Sequence, residues 1–123
     1  MNKGICTRMR IGEKIQQWKI RKGYLKTSVT LIDVCEELGI NRTYMSNYIN
    51  EKYGKNFNTW VNGLRIKEAM RIIHFFPQLP LSEVGKRVGY TDLAHFSKQF
   101  KLNMGVSPSN WRKEDIEMRK KHF

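Results

Sequence analysis

The chain has 123 residues, 40% of them hydrophobic and 11% aromatic, which excludes global disorder and leaves room for one ordinary domain or two very small units sharing a core. Lys and Arg number 23 against 11 Asp and Glu, a formal charge of +12. A globular domain this basic repels itself and usually meets a polyanion, nucleic acid first and an anionic membrane surface second. The only cysteines, Cys6 and Cys35, give no disulfide framework and fit a reducing cytoplasm, and no apolar run is long enough to span a bilayer or to serve as a secretory signal core.

Residues 1–10, MNKGICTRMR, show no period and are expected as a disordered or cloning-derived lead. A first subdomain is expected over 11–57. Ile11, Ile15, Trp18 and Lys22 fall at steps of four, three and four, which predicts a helix with one apolar edge and a left-handed cap at Gly23. Thr30 and Asp33 bracket the start of a short helix, LIDVCEEL, with Leu31, Val34, Cys35 and Leu38 apolar, and Gly39 stops it. Ile40 returns to the core and Asn41 caps the next helix, RTYMSNYINEKY, with Met45 and Ile49 inward. Helix, glycine turn, helix is the pattern of a helix-turn-helix.

A linker helix is expected over 58–76, capped by Asn58 or Thr59 and closed by Pro77. Its apolar residues lie on two faces: Trp60, Val61 and Leu64, then Ile66, Ala69, Ile73 and Phe76. A second subdomain follows over 77–113. Leu81, Val84 and Val88 point inward, Gly89 and Tyr90 turn the chain, and Phe96 and Phe100 are buried on the next helix. Ser107 caps a last helix with Pro108 at its first position and Trp111 as an anchor; 114–123, with Arg119, Lys120 and Lys121, is expected as a solvated basic tail.

The two short helix pairs repeat one plan. Leu31, Val34, Leu38 and Gly39 recur as Leu81, Val84, Val88 and Gly89 at an offset of 50, and Met45, Ser46 and Ile49 recur as Phe96, Ser97 and Phe100 at an offset of 51. Two copies are too few for a solenoid, so two lobes around a connecting helix explain the spacing better. With Met45 and Ile49 inward, the outward strip of the first second-helix is Arg42, Thr43, Ser46, Asn47 and Asn50. With Phe96 and Phe100 inward, the other strip is Leu93, Ala94, Ser97, Lys98 and Lys101. Such strips fit a major groove about 12 Å wide, and two of them on a connector suit grooves roughly 34 Å apart.

The stretch VGYTDLAHFSKQFKLNMGVSPSNWRK, with GINRTYMSNYINEKYGKNFNTWVNGLRIKEA before it, resembles the DNA-binding domain of the AraC/XylS family of regulators. The resemblance covers roughly Ile11 to Lys113 in matching order and spacing. It implies an all-α fold of about seven helices, two helix-turn-helix subdomains joined by a long central linker helix, and transcription control through promoter DNA. It also implies base contacts from Thr43, Ser46 and Asn47 in the first unit and from Leu93, Ala94, Ser97 and Lys98 in the second. Phosphate contacts are expected from Arg42, Asn50, His95, Lys101 and Arg112. Two departures from the family pattern stand out. The first strip carries little positive charge, so that unit is expected to discriminate weakly or to bind through its flanks. Gly85 stands where Ala is usual, a helix penalty of about 1 kcal/mol. Expected partners are double-stranded promoter DNA, RNA polymerase, and an N-terminal sensing or dimerising domain that this length cannot hold.

No catalytic, metal or cofactor site is expected, nor a small-molecule site. His95 stands alone beside Phe96, His74 and His122 lack partners at ligand spacing, and neither cysteine is paired. Trp18, Trp60 and Trp111 sit among apolar neighbours as core anchors, and Cys35 reads as a small core residue. The basic face of the first helix, Lys14, Arg21 and Lys22, suits either solvated surface or DNA contact. A general nucleic-acid binder is the second reading, and an enzyme, lacking any convergent polar set, the third.

Overall fold

The computed structural model describes the backbone of residues 3–121 and the side chains of residues 10–121. Its α-helices, in order, are α1 (Lys3–Ile20), α2 (Leu31–Leu38), α3 (Arg42–Tyr53), α4 (Phe57–Phe75), α5 (Leu81–Arg87), α6 (Leu93–Met104) and α7 (Pro108–Lys121), with a 3-10 turn at Gly23–Leu25. The chain forms two compact units whose boundary falls inside α4, between Val61 and Asn62. The expected linker helix is therefore shared: its first residues belong to the first unit and the rest to the second.

In the first unit the apolar edge of α1 is buried as its spacing predicts, with Ile11, Ile15 and Trp18 at most 4% exposed. Trp18 stacks on Trp60 at 5.8 Å and meets Tyr24 edge-on at 6.1 Å, while Tyr53 stacks on the other ring of the pair, Trp60, at 5.2 Å. These tryptophans anchor the core. Met45 and Ile49 close it from α3, with no exposed surface. Cys35 is a free, buried thiol, and burial pushes its pKa above the ordinary value, opposed by the charge of Arg42. The Cys6 side chain lies outside the described residues.

Several boundaries differ from expectation for physical reasons. The expected lead is helical from Lys3, because a formed amphipathic helix extends cheaply through residues 3–10, which contain no proline; Met1 and Asn2 lie outside the described residues. The left-handed residue after α1 is Lys22, at φ 57°, rather than Gly23. Gly23 is needed for space: a Cβ there would enter the Trp18 indole. The cap of α4 is Asn56, whose Oδ1 accepts from the Thr59 amide at 2.9 Å, instead of Asn58 or Thr59. Phe76 is 54% exposed instead of packed. The expected tail is the continuation of α7, where Asp115 pairs with His74 at 3.0 Å and with Arg119 at 3.4 Å. His122 and Phe123 lie outside the described residues.

The second unit packs around Val84, Val88, Phe96 and Phe100, none of which is exposed. Phe96 lies 5.7 Å from the Tyr90 ring and 5.9 Å from Phe100, and Trp111 of α7 meets Phe100 edge-on at 6.1 Å. Two buried charged residues on α4 escape an apolar-periodicity reading: Arg65, 7% exposed, and Glu68, 8% exposed. The Arg65 guanidinium lies 5.2 Å from the Tyr90 ring, a cation–π contact in a desolvated setting. Glu68 accepts from Arg71 at 2.6 Å. Burial lowers the Arg65 pKa and raises that of Tyr90, whose hydroxyl donates to Asn62 Oδ1 at 2.6 Å.

Candidate nucleic-acid interface

Each unit contains one helix-turn-helix, and the turns use the same backbone device. After α2 the Ile40 amide donates to the Cys35 carbonyl at 3.0 Å and the Gly39 amide to Glu36 at 3.4 Å. After α5 the Tyr90 amide donates to the Gly85 carbonyl at 2.9 Å and the Gly89 amide to Lys86 at 3.1 Å. Every member of the second set lies 50 positions beyond its counterpart in the first. These bonds satisfy carbonyls orphaned at the helix end, and they require a left-handed residue, supplied by Gly39 at φ 66° and Gly89 at φ 98°. The apolar residue after each glycine, Ile40 or Tyr90, is thereby driven into the core.

The second helix of each pair starts at a side-chain cap. Asn41 Oδ1 accepts from the Thr43 amide at 2.8 Å and the Tyr44 amide at 3.4 Å. Asp92 Oδ1 accepts from the His95 amide at 2.7 Å. With its N-terminal amides held and its inner side locked by Met45 and Ile49, or by Phe96 and Phe100, each helix presents a fixed outer strip. On α3 the residues Arg42, Thr43, Asn47 and Asn50 are exposed and Ser46 is half-buried. On α6 the residues Leu93, Ala94, Lys98 and Lys101 are exposed and Ser97 is half-buried. The structure thus brings these candidates together as two surface strips, one per unit. Leu93 is 46% exposed, an apolar side chain at the start of a reader where it could meet a thymine methyl.

Two candidates stand apart. His95 is exposed but lies beside its strip, edge-on to the Tyr90 ring at 5.1 Å. Arg112 is on α7, half-buried, and donates from Nη1 to the Leu79 carbonyl at 3.0 Å, which ties α7 to the segment before α5. Lys14 of the first helix's basic face donates to the Leu38 carbonyl at 2.8 Å and so braces the C-terminus of α2, while Arg21 lies 3.9 Å from Glu37. Tyr44, 57% exposed at the start of α3, is a surface residue beside the strip that the inward spacing of Met45 and Ile49 does not point to. The repeat could have found it, since Tyr44 stands to His95 at the same offset of 51 as Met45 to Phe96.

Among the described residues no group of three or more His, Cys, Asp or Glu could hold a metal ion, and no helix is long and apolar enough to cross a membrane. Lys52 sits over the rings of Tyr48 and Tyr53, and its hydrogen bond to the Tyr48 hydroxyl at 3.1 Å raises its pKa, so the ammonium charge is retained.

A duplicated, capped helix-turn-helix with outward polar strips defines a class, and comparison with known proteins narrows it. Residues 34–114 match the model of a helix-turn-helix domain family. The chain belongs to this family, in its AraC-type branch. It is 28% identical over 96 residues to the Msm operon regulatory protein of Streptococcus mutans, covering 78% of this chain and 34% of that one. It is 27% identical over 82 residues to the arabinose operon regulatory protein of Escherichia coli K12, covering 67% and 28%. The chain thus spans about a third of the length of these regulators. The C-terminal domain of AraT, a response regulator from Geobacillus stearothermophilus, superposes with a TM-score of 0.76 at 30% identity, covering 85% of this chain and 84% of that one. The DNA-binding domain of AdpA, solved in complex with a target DNA, shares the fold at a TM-score of 0.76 and 16% identity, covering 89% and 96%.

Proposed function

We propose that this chain binds double-stranded DNA in a sequence-specific manner, as the DNA-reading part of a bacterial transcription regulator. The observation that carries this reading is the duplicated helix-turn-helix, in which each second helix has its inner side buried and its polar outer strip exposed. A general nucleic-acid binder needs charge but no such pair of rigid strips. In this reading α3 and α6 enter successive major grooves. Thr43, Ser46 and Asn47 face base edges in one, and Leu93, Ala94, Ser97 and Lys98 in the other, with Arg42, Asn50, His95 and Lys101 on phosphates. Arg112 acts as a brace for its unit more than as a phosphate contact, given its bond to Leu79.

The lengths of the regulators it resembles support a further domain in the whole protein, for sensing or dimerisation. RNA polymerase is its natural functional partner, and no catalysis is assigned. Competition separates this reading from the others: a labelled mixed-sequence duplex is displaced from the chain by unlabelled duplex, single-stranded DNA, RNA or anionic vesicles. Preferential displacement by duplex DNA, with affinity falling steeply with salt, is expected. Equal displacement by single strands, or better displacement by vesicles, would refute it.

A further inference from the structure

We propose that the cleft between α1 and the turn of the first helix-turn-helix is a seat for one backbone phosphate of bound DNA, formed by Arg10, Lys14 and the Tyr44 hydroxyl. The proposal deepens the DNA reading above and rests on it. The cleft has a volume of about 310 Å³ and is bounded by Arg10, Ile11 and Lys14 on α1, by the Gly39–Asn41 turn, and by Tyr44. Among the described residues no carboxylate lines it; Glu13 and Glu37 border a separate cleft that shares Lys14.

Lys14 is held in place by its hydrogen bond to the Leu38 carbonyl, which uses one of three ammonium N–H groups and leaves two to donate. Its Nζ lies above the turn, 3.8 Å from where a Cβ on Gly39 would stand. Tyr44 follows Thr43 directly on α3, so it projects just over a quarter turn away, on the flank of the reading strip facing α1. A large side chain left 57% exposed, lining the same cleft as two cationic residues, suits a hydrogen bond from its hydroxyl to an oxyanion. The flanks of a reading helix are where the groove-wall phosphates pass.

The distribution of charge supplies the second argument. The α6 strip carries Lys98 and Lys101, whereas the α3 strip carries Arg42 alone. Arg42 is then the one cation that the α3 strip offers a phosphate, and this cleft adds Arg10, Lys14 and Tyr44 beside it. The second unit has no equivalent seat: α4 stands before α5 as α1 stands before α2, but the position 50 beyond Lys14 is Leu64.

The test uses the full chain, a mixed-sequence duplex and a salt titration of the binding constant. Arg10→Gln and Tyr44→Phe, singly and together, are compared with the parent; Lys14 is left intact because it also braces α2. The double variant is expected to bind several-fold more weakly on every duplex sequence, with a log–log salt slope shallower by about 0.9, one phosphate contact. Tyr44→Phe leaves the net charge unchanged and is expected to weaken binding on its own. A double variant with the parent's slope and affinity would overturn the seat while leaving the DNA reading standing. An effect of Arg10→Gln with a silent Tyr44→Phe would also overturn it, in favour of diffuse charge. A parent chain that binds no duplex would overturn both.

Discussion

Gly85→Ala is a sharp test of the packing between the two helices of the second helix-turn-helix. On helix propensity alone the change should stabilise α5 by about 1 kcal/mol, because glycine is the costlier residue in a helix interior. The structure predicts the opposite sign. A Cβ on Gly85 would stand 3.1 Å from both Cγ and Cδ2 of Phe96 and 3.2 Å from its Cβ, against roughly 3.5–4.0 Å for an optimal carbon–carbon contact. Phe96 cannot give way easily: it has no exposed surface, is wedged against Tyr90 and Phe100, and its Cβ moves only with the α6 backbone. Overpacking of this kind costs about 1–3 kcal/mol, so the net effect is a loss of up to about 2 kcal/mol. Urea denaturation followed by circular dichroism would read this as a lower midpoint at unchanged slope. Adding Phe96→Ala removes the Cγ and Cδ2 contacts, so the double variant should be more stable than the two single losses added together. A Gly85→Ala variant more stable than its parent would refute the close approach of α5 and α6.

Other outcomes follow from single contacts. Lys98→Ala should cost specific DNA binding about 1–3 kcal/mol beyond its effect on mixed-sequence duplex, measured by anisotropy; equal losses on both would reassign Lys98 to a phosphate. Asn41→Ala removes the acceptor that caps α3 and should lower unfolding free energy by about 1 kcal/mol; an unchanged denaturation midpoint would deny the cap its role. Gly23→Ala forces a methyl group into the Trp18 indole and should destabilise the first unit by about 1–3 kcal/mol, with tryptophan fluorescence as the readout. The Cys35 pKa is raised by burial above the ordinary value of 9.0, so the unfolded thiol loses its proton first and stability should fall as pH rises past that value. Cys35→Ala should flatten that alkaline decline, and an identical pH profile would contradict it.

Much of this fold was legible because periodicity and capping chemistry agree. Thr30, Asn41 and Ser107 were readable as caps, and all three accept from backbone amides as their positions imply. Met45, Ile49, Phe96 and Phe100 were readable as the inner sides of the two readers, and the outer strips follow from them by geometry. What stayed hidden depends on through-space neighbours. Nothing local says that Gly23 is required by the Trp18 ring, or that Arg65 and Glu68 are buried on a helix chosen for its apolar faces.

Gly85 shows both sides of this. The repeat pairs it with Cys35, and the residues opposite, Phe96 and Met45, are paired one position further on. A flexible, unbranched Met leaves room for a side chain at Cys35, whereas a rigid Phe leaves none at Gly85. The glycine that looked like a weakness in the helix is the complement of the ring. Arg10 is hidden in the sequence because it stands in an aperiodic stretch, although a formed helix extends through such residues at little cost.

Selection of bound duplexes from a random DNA pool at near-physiological salt tests the central claim most directly. Two working readers predict an enriched motif of two short blocks about ten base pairs apart, one for α3 and one for α6. Salt-sensitive retention of DNA with no enriched sequence would contradict it, and would reduce the chain to a general nucleic-acid binder.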